Sequence, residues 1–213
     1  MRNASKGHVV VPGYFVRGVM MKKLLISSLL TLGILFLASA QTAPPLTFEG
    51  TVVSVVLDHV QIKTAGGDTR VVVLPPGVTV IRRVLVPWTD IHSGEWVGVD
   101  SKPGTDGSQE SVSINIFSPG IMAIARKGQF TMDSGDLMTN APVDKITTGT
   151  DGQGLTLKNE GAMVDLKIGS GTVVHRLIDT DAAEVKAQVK VQVRGSGNSD
   201  GSVQAAVVTI LAP

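Results

Sequence analysis

Apolar and polar positions alternate strictly along "EVKAQVKVQVR", Glu184–Arg194. Val185, Ala187, Val189, Val191 and Val193 fall on one side, and Lys186, Gln188, Lys190, Gln192 and Arg194 on the other. Successive side chains of a strand point to opposite faces, so this pattern predicts a half-buried strand with one wet face. Asn198-Ser199-Asp200-Gly201 follows as a turn cluster, in which Gly201 can take a positive φ. The apolar run Val203–Leu211 then closes a predicted hairpin.

The chain writes this pattern twice. Asp90–Phe117 aligns without a gap to Glu184–Leu211, 28 residues at a spacing of 94. Identity is low, 6 of 28 positions: Val97, Val99, Asp106, Gly107, Ser108 and Ile116 in the first copy. The order of elements upstream carries the match further. In the first copy the reading is a strand, a turn at Asp58, strand Val60–Thr64, a turn at Gly66-Gly67, strand Arg70–Leu74, a Pro-Gly break and strand Val78–Arg82. The second copy has a strand, a turn at Asp151-Gly152, strand Leu155–Lys158, a turn at Glu160-Gly161, strand Met163–Ile168, a Gly-Ser-Gly break and strand Thr172–Leu177. A single helical turn or loop is expected in "VPWTDIHSG" and again in "IDTDAAEVKAQ".

Short antiparallel strands bury a core by curling, and closure removes exposed edges. The predicted fold is therefore all-β: two tandem small OB-like β-barrels of about six short strands each, after an N-terminal signal peptide. The domain reading is leader 1–40, repeat one 41–118, linker 119–137 and repeat two 138–213. The linker's Met and Ile residues are expected to pack between the domains.

The leader reading rests on "MKKLLISSLLTLGILFLASAQ". Lys22 and Lys23 precede the mostly apolar run Leu24–Leu37, and Ala38-Ser39-Ala40 supplies small residues for cleavage before Gln41. At ~1.5 Å per residue that run spans about 21 Å, short of a roughly 30 Å hydrocarbon core. Gln41 stands where a lipoprotein would need Cys. The true start is expected at Met20 or Met21, with an unusually long leading region as the alternative. The mature chain is expected outside the cytoplasm, periplasmic or extracellular, without a transmembrane segment.

Removing the leader changes the charge. The whole chain has 19 basic and 18 acidic residues. The leader takes Arg2, Lys6, Arg17, Lys22 and Lys23 and no acid, leaving 14 against 18, a formal charge of −4. A mildly acidic surface repels phosphate backbones, which argues against nucleic acid. Without any Cys the chain relies on no disulfide.

Candidate chemistry is sparse. No Walker loop, CxxC or HExxH is present. His59, His92 and His175 sit in different elements without metal spacing, and His175 alternates with Val173 and Leu177 as a partly buried position. Asp179, Asp181 and Glu184 form an acidic cluster that could offer oxygen ligands to Ca²⁺, against the commoner use of Asp as a helix cap. Trp88 and Trp96 are the candidate stacking platforms for a sugar or nucleotide, against a covering role at a barrel end.

"GTVVSV" (Gly50–Val55), "VQIKTAGGDTRVVVLPPGVTVIRR" (Val60–Arg83) and "WTDIHSGEWVGVDSKPGTDGS" (Trp88–Ser108) resemble the bacterial domain of unknown function 5666. "LMTNAPVDKI" (Leu137–Ile146) resembles the start of the second copy in tandem members. The resemblance covers most of residues 48–211 and implies a small β-barrel and export; it carries no established active site. Copy two departs at Ala187-Gln188, where copy one has Ser93-Gly94, and at Pro142 in its leading strand. The expected function is a non-catalytic exported β-barrel module of the cell envelope, without a cofactor, binding an envelope protein or small ligand. The alternatives are carbohydrate or nucleic-acid binding through Trp88 and Trp96, and an enzyme with a composite site.

Overall fold

The valines of the alternating segment point into a dry interior: Val191 and Val193 are fully buried, while Lys190 and Arg194 face water. A computed structural model describes residues 45–104, 108–149 and 152–211. The expected leader, its expected cleavage before Gln41 and the turn residues Asp106, Gly107 and Asp151 lie outside the described residues. No helix among the described residues is long and apolar enough to cross a membrane.

The described chain is nearly all β. The first half contributes β1 (Leu46–Val56), β2 (His59–Thr64), β3 (Thr69–Val73), β4 (Thr79–Leu85), β5 (Trp96–Pro103) and β6 (Gln109–Ile116). A short helix α1 (Pro119–Ile124) and strand β7 (Gly128–Thr131) follow, so the segment expected to be a plain linker carries structure. The second half contributes β8 (Leu137–Gly149), β9 (Gly152–Asn159), β10 (Ala162–Asp179), β11 (Lys190–Gly197) and β12 (Val203–Leu211). All twelve strands join in one sheet.

Hydrogen bonding closes this sheet on itself in two places. β11-β1-β2-β3-β12 form one ring, shut by the β11–β12 pair; β8-β9-β10-β6-β5 form the other, shut by the β5–β8 pair. In each ring one neighbouring pair is parallel, β3 with β12 and β10 with β6. The expectation that 41–118 and 138–213 each wrap a separate interior is corrected here. Ring one takes β1–β3 from the first copy and β11–β12 from the second. Ring two takes β8–β10 from the second copy and β5–β6 from the first. The cores follow: Val52, Val60, Ile62 and Val72 meet Val191, Val193, Val203 and Val208. Val97, Val99, Ile114 and Ile116 meet Val143, Leu155, Leu157 and Leu166. The two copies share one inside-outside pattern, so strands of either copy satisfy the same hydrophobic demand.

Pairing registers in the two halves match at the spacing of 94. β12 lies parallel to β4 from Val207↔Thr79 to Leu211↔Arg83, and β6 lies parallel to β10 from Ser113↔Val173 to Ile116↔Arg176. These pairs are images of each other under a shift of 94. The irregularity after Asp100 in β5 recurs after Arg194 in β11. β4 and the end of β10 pair antiparallel, with Arg83 opposite Leu177, which are themselves equivalent positions. A pseudo-two-fold axis therefore passes between them.

Two local departures from the sequence reading have identifiable causes. The expected Gly169-Ser170-Gly171 break is an irregularity within the single strand β10, because the neighbouring β6 pairs on both sides of it. The strand expected from Glu184 begins only at Lys190. Before it, the Asp181 side chain accepts a hydrogen bond from Ala183 N at 2.8 Å and caps a single 3₁₀ turn, Ala182–Glu184. Gln188 then turns the chain with φ 72°, where copy one uses Gly94 at φ 87°. The matching 3₁₀ turn of copy one is Trp88–Asp90.

Candidate functional site

The four strands β12, β4, β10 and β6 lie side by side at the pseudo-two-fold axis. Their alternation sends Val80, Val174, Ile114, Ile116, Val208 and Ile210 toward the two cores. The intervening residues, among them Ile81, Arg83, Asn115, Leu177, Val207 and Thr209, line a groove of about 460 Å³. That volume is in the range of small-molecule sites.

The segment between the copies forms one wall. Ser118 accepts a hydrogen bond from Ile121 N at 3.3 Å and starts α1, with Pro119 in its first turn. Gly120 N donates to Asp179 Oδ2 at 3.0 Å and ties the helix to β10; a side chain at Gly120 would run into that carboxylate. Ile121 and Ile124 then face the groove. Phe130 of β7 pairs across to Met138 of β8, and both side chains line the same wall. Asn140 Nδ2 donates to Arg126 O at 2.6 Å, fixing the backbone from which the Arg126 guanidinium lies 4.2 Å over the Phe130 ring. Asn140 Oδ1 is buried without a hydrogen-bond partner, facing Gly98 and Phe117.

The charge of the groove is one-sided. Arg83, Arg126 and Arg194 line it, and among the described residues no Asp or Glu does. Among the described residues none of these three arginines forms an ion pair. Their neighbours differ: Arg82 bonds Glu184 at 2.9 Å, and Arg176 bonds Glu95 at 2.8 Å and Asp90 O at 2.7 Å. Burial, followed by the positive field of Arg83, holds the His175 imidazole below its ordinary pKa.

Glu95 gives a pH prediction. Burial pushes its carboxyl up, but the Arg176 hydrogen bond and the backbone N–H of His92 outweigh it, and the net pKa lies below the ordinary 4.5. A depressed carboxylate adds stability that is present above its unfolded value and is lost as pH falls through the folded value. Glu95→Gln should therefore lower the melting temperature at neutral pH. The gap to the parent protein should close below about pH 4.5; a gap constant from pH 7 to pH 3 would refute it.

The residues singled out from sequence fall elsewhere. Trp88 opens the first 3₁₀ turn and packs half-buried against the second core, lining a shallow cleft of about 540 Å³ with Val86, Pro87 and Ile168. Trp96 starts β5, with Lys127 Nζ 5.4 Å from its ring centre, and is not part of that cleft. The three acids go to three different donors: Asp179 to Gly120 N, Asp181 to Ala183 N and Glu184 to Arg82. Among the described residues no group of three His, Cys, Asp or Glu could hold a metal ion. His59 bonds its neighbour Asp58 at 2.7 Å on an exposed hairpin tip, and the Ser202 hydroxyl donates to Asp200 at 2.7 Å.

No family model, curated protein or solved structure matches this chain.

The groove residues escaped the sequence reading. One signal was available: Arg83 sits between Ile81 and Leu85 in a two-residue period, a charge on an otherwise apolar strand face. Phe117 and Phe130, two of the five aromatics beyond residue 40, flank α1.

Proposed function

We propose that this chain is a non-catalytic exported binding module, built as two OB-like barrels that share strands, and that its ligand sits in the groove between them. The strand order of each ring, with one parallel pair among antiparallel ones, agrees with a five-stranded OB barrel. It also agrees with the resemblance to the domain of unknown function 5666. The leader pattern supports export. One observation carries the binding reading: three arginines without a carboxylate partner among the described residues line one groove with apolar residues from both halves and from the intervening segment. Carbohydrate or nucleic-acid binding has less support, because Trp88 packs on the core and Trp96 lies under Lys127.

The test is a thermal-shift screen of small amphipathic and polar compounds on the full chain and on Leu177→Trp, which fills the groove. A ligand at a hundred times its Kd stabilises by about 2.7 kcal/mol, or roughly 5–10 °C for a domain of this size. A shift lost in Leu177→Trp supports the reading. A shift kept by that variant moves the site away from the groove, and turnover of any compound would overturn the non-catalytic part.

A further inference from the structure

We propose that the groove selects a free long-chain carboxylate, with its head on Arg83 and its chain along Phe117, Phe130 and Met138. This rests on the groove being the binding site.

The argument starts from broken symmetry. The pseudo-two-fold axis makes β4 and β12 equivalent in backbone to β10 and β6, yet the side chains on the two halves of the groove differ. Position 83 is Arg, and its equivalent at 177 is Leu. Position 194 is Arg in the groove, and its equivalent at 100 is Asp, which is not part of the lining. On the ring-one side the walls are therefore cationic and polar, with Arg83, Arg194, Gln192 and Thr47. On the ring-two side α1, β7 and β8 add a mainly apolar wall, Ile121, Ile124, Phe130 and Met138, with Arg126 over the Phe130 ring and Asn140 at its base. A ligand complementary to both halves has an anionic head and an apolar tail.

Arg83 is the natural head site. It is half-buried at the middle of the four-stranded surface, between Ile81 and Leu177. A guanidinium held against apolar neighbours without a counter-charge is a site a carboxylate can fill with paired hydrogen bonds. Arg82 on the opposite face of the same strand already has Glu184, so it is the internal control. The tail wall is adaptable, because Met132 and Met138 are unbranched and Phe117 and Phe130 are flat.

The full chain would be titrated by calorimetry with dodecanoate, dodecanol, dodecylammonium and butyrate, and in a separate arm with phosphatidylglycerol vesicles. Dodecanoate should bind more tightly than butyrate, which lacks the tail, and at least about tenfold tighter than dodecanol and dodecylammonium, as expected for a hydrogen-bonded charge contact. Arg83→Gln should remove that preference, Arg83→Lys should keep part of it, and Arg82→Gln should leave it within about twofold. Circular dichroism of each variant separates loss of binding from loss of fold. Equal binding of dodecanol would overturn the carboxylate class while leaving the groove a site. Binding to vesicles without binding to free dodecanoate would overturn the free-ligand form. An equal loss in Arg82→Gln would remove Arg83 as the head site. Binding of dodecanoate unchanged by Leu177→Trp would overturn the groove itself, and with it the reading above.

Discussion

Residues 45–118 produced alone are expected not to fold, although they contain every strand of the first copy. Ring one would lose β11 and β12 and the approach to them. These supply seven of its twelve buried core residues: Val185, Val191, Val193, Val203, Ala205, Val208 and Ile210. Each buried valine or isoleucine contributes roughly 1.5–3 kcal/mol, so the loss is on the order of 10 kcal/mol, comparable with the whole stability of a small domain. β5 and β6 would at the same time lack β8 and β10, their partners on either side. β4 is the reason the fragment does not simply reclose. It carries the chain out of ring one and finds its antiparallel partner in β10 and its parallel partner in β12, both from the other half. Thermal melts followed by circular dichroism should show no cooperative transition for 45–118, one transition for the whole chain, and recovery of that transition when 45–118 and 119–213 are mixed. A cooperative melt of the isolated fragment would show that the copies close locally and would remove the exchange of strands.

Gly195→Ala is expected to be among the most damaging single-methyl changes in the molecule. Gly195 is buried in β11 at the irregularity that follows Arg194. A Cβ there would overlap the carbonyl oxygen of Gln204 on the paired strand and come within 3.1 Å of the Ala205 Cα. Both obstacles are backbone, so relief requires β11 and β12 to separate, and those strands close ring one. A cost of about 3 kcal/mol, the upper end for overpacking, should lower the melting temperature by roughly 10 °C. Ring two supplies the control. The equivalent position holds Ser101, fully buried, opposite Ser111, so its backbone already accepts a Cβ. Ser101→Ala removes the hydroxyl's contacts to Gln109 and Leu137 O and should cost only about 1 kcal/mol. Equal effects at the two positions would refute the difference in packing.

The sequence was most informative where one physical demand acts alone. Alternation in "VKVQVR" and "SVSINI" required strands, and Asp58, Gly67, Glu160-Gly161 and Gly201 fall in the turns between them. Partner choice was not legible, because Val191 and Val193 meet the same requirement whichever copy completes the ring. The acidic cluster illustrates a second limit. Asp179, Asp181 and Glu184 are close in sequence, but one ends a strand, one caps a turn and one turns toward Arg82. The groove was hidden for the opposite reason: Arg83, Arg126 and Arg194 are far apart along the chain and line one groove only through the pairing of β11 with β12 and of β12 with β4, and the placement of the segment before β7.

The order in which the chain leaves the ribosome gives the shared strands a kinetic meaning. β1–β3 emerge early, yet ring one closes only after Val203–Leu211, the last of the described strands, has been made. Contacts this distant in sequence form slowly, and the waiting edges of β1 and β3 are open to whatever strand arrives first. A crowded population of incompletely folded chains would therefore exchange β12 with one another, giving linked multimers whose rings are each correctly built.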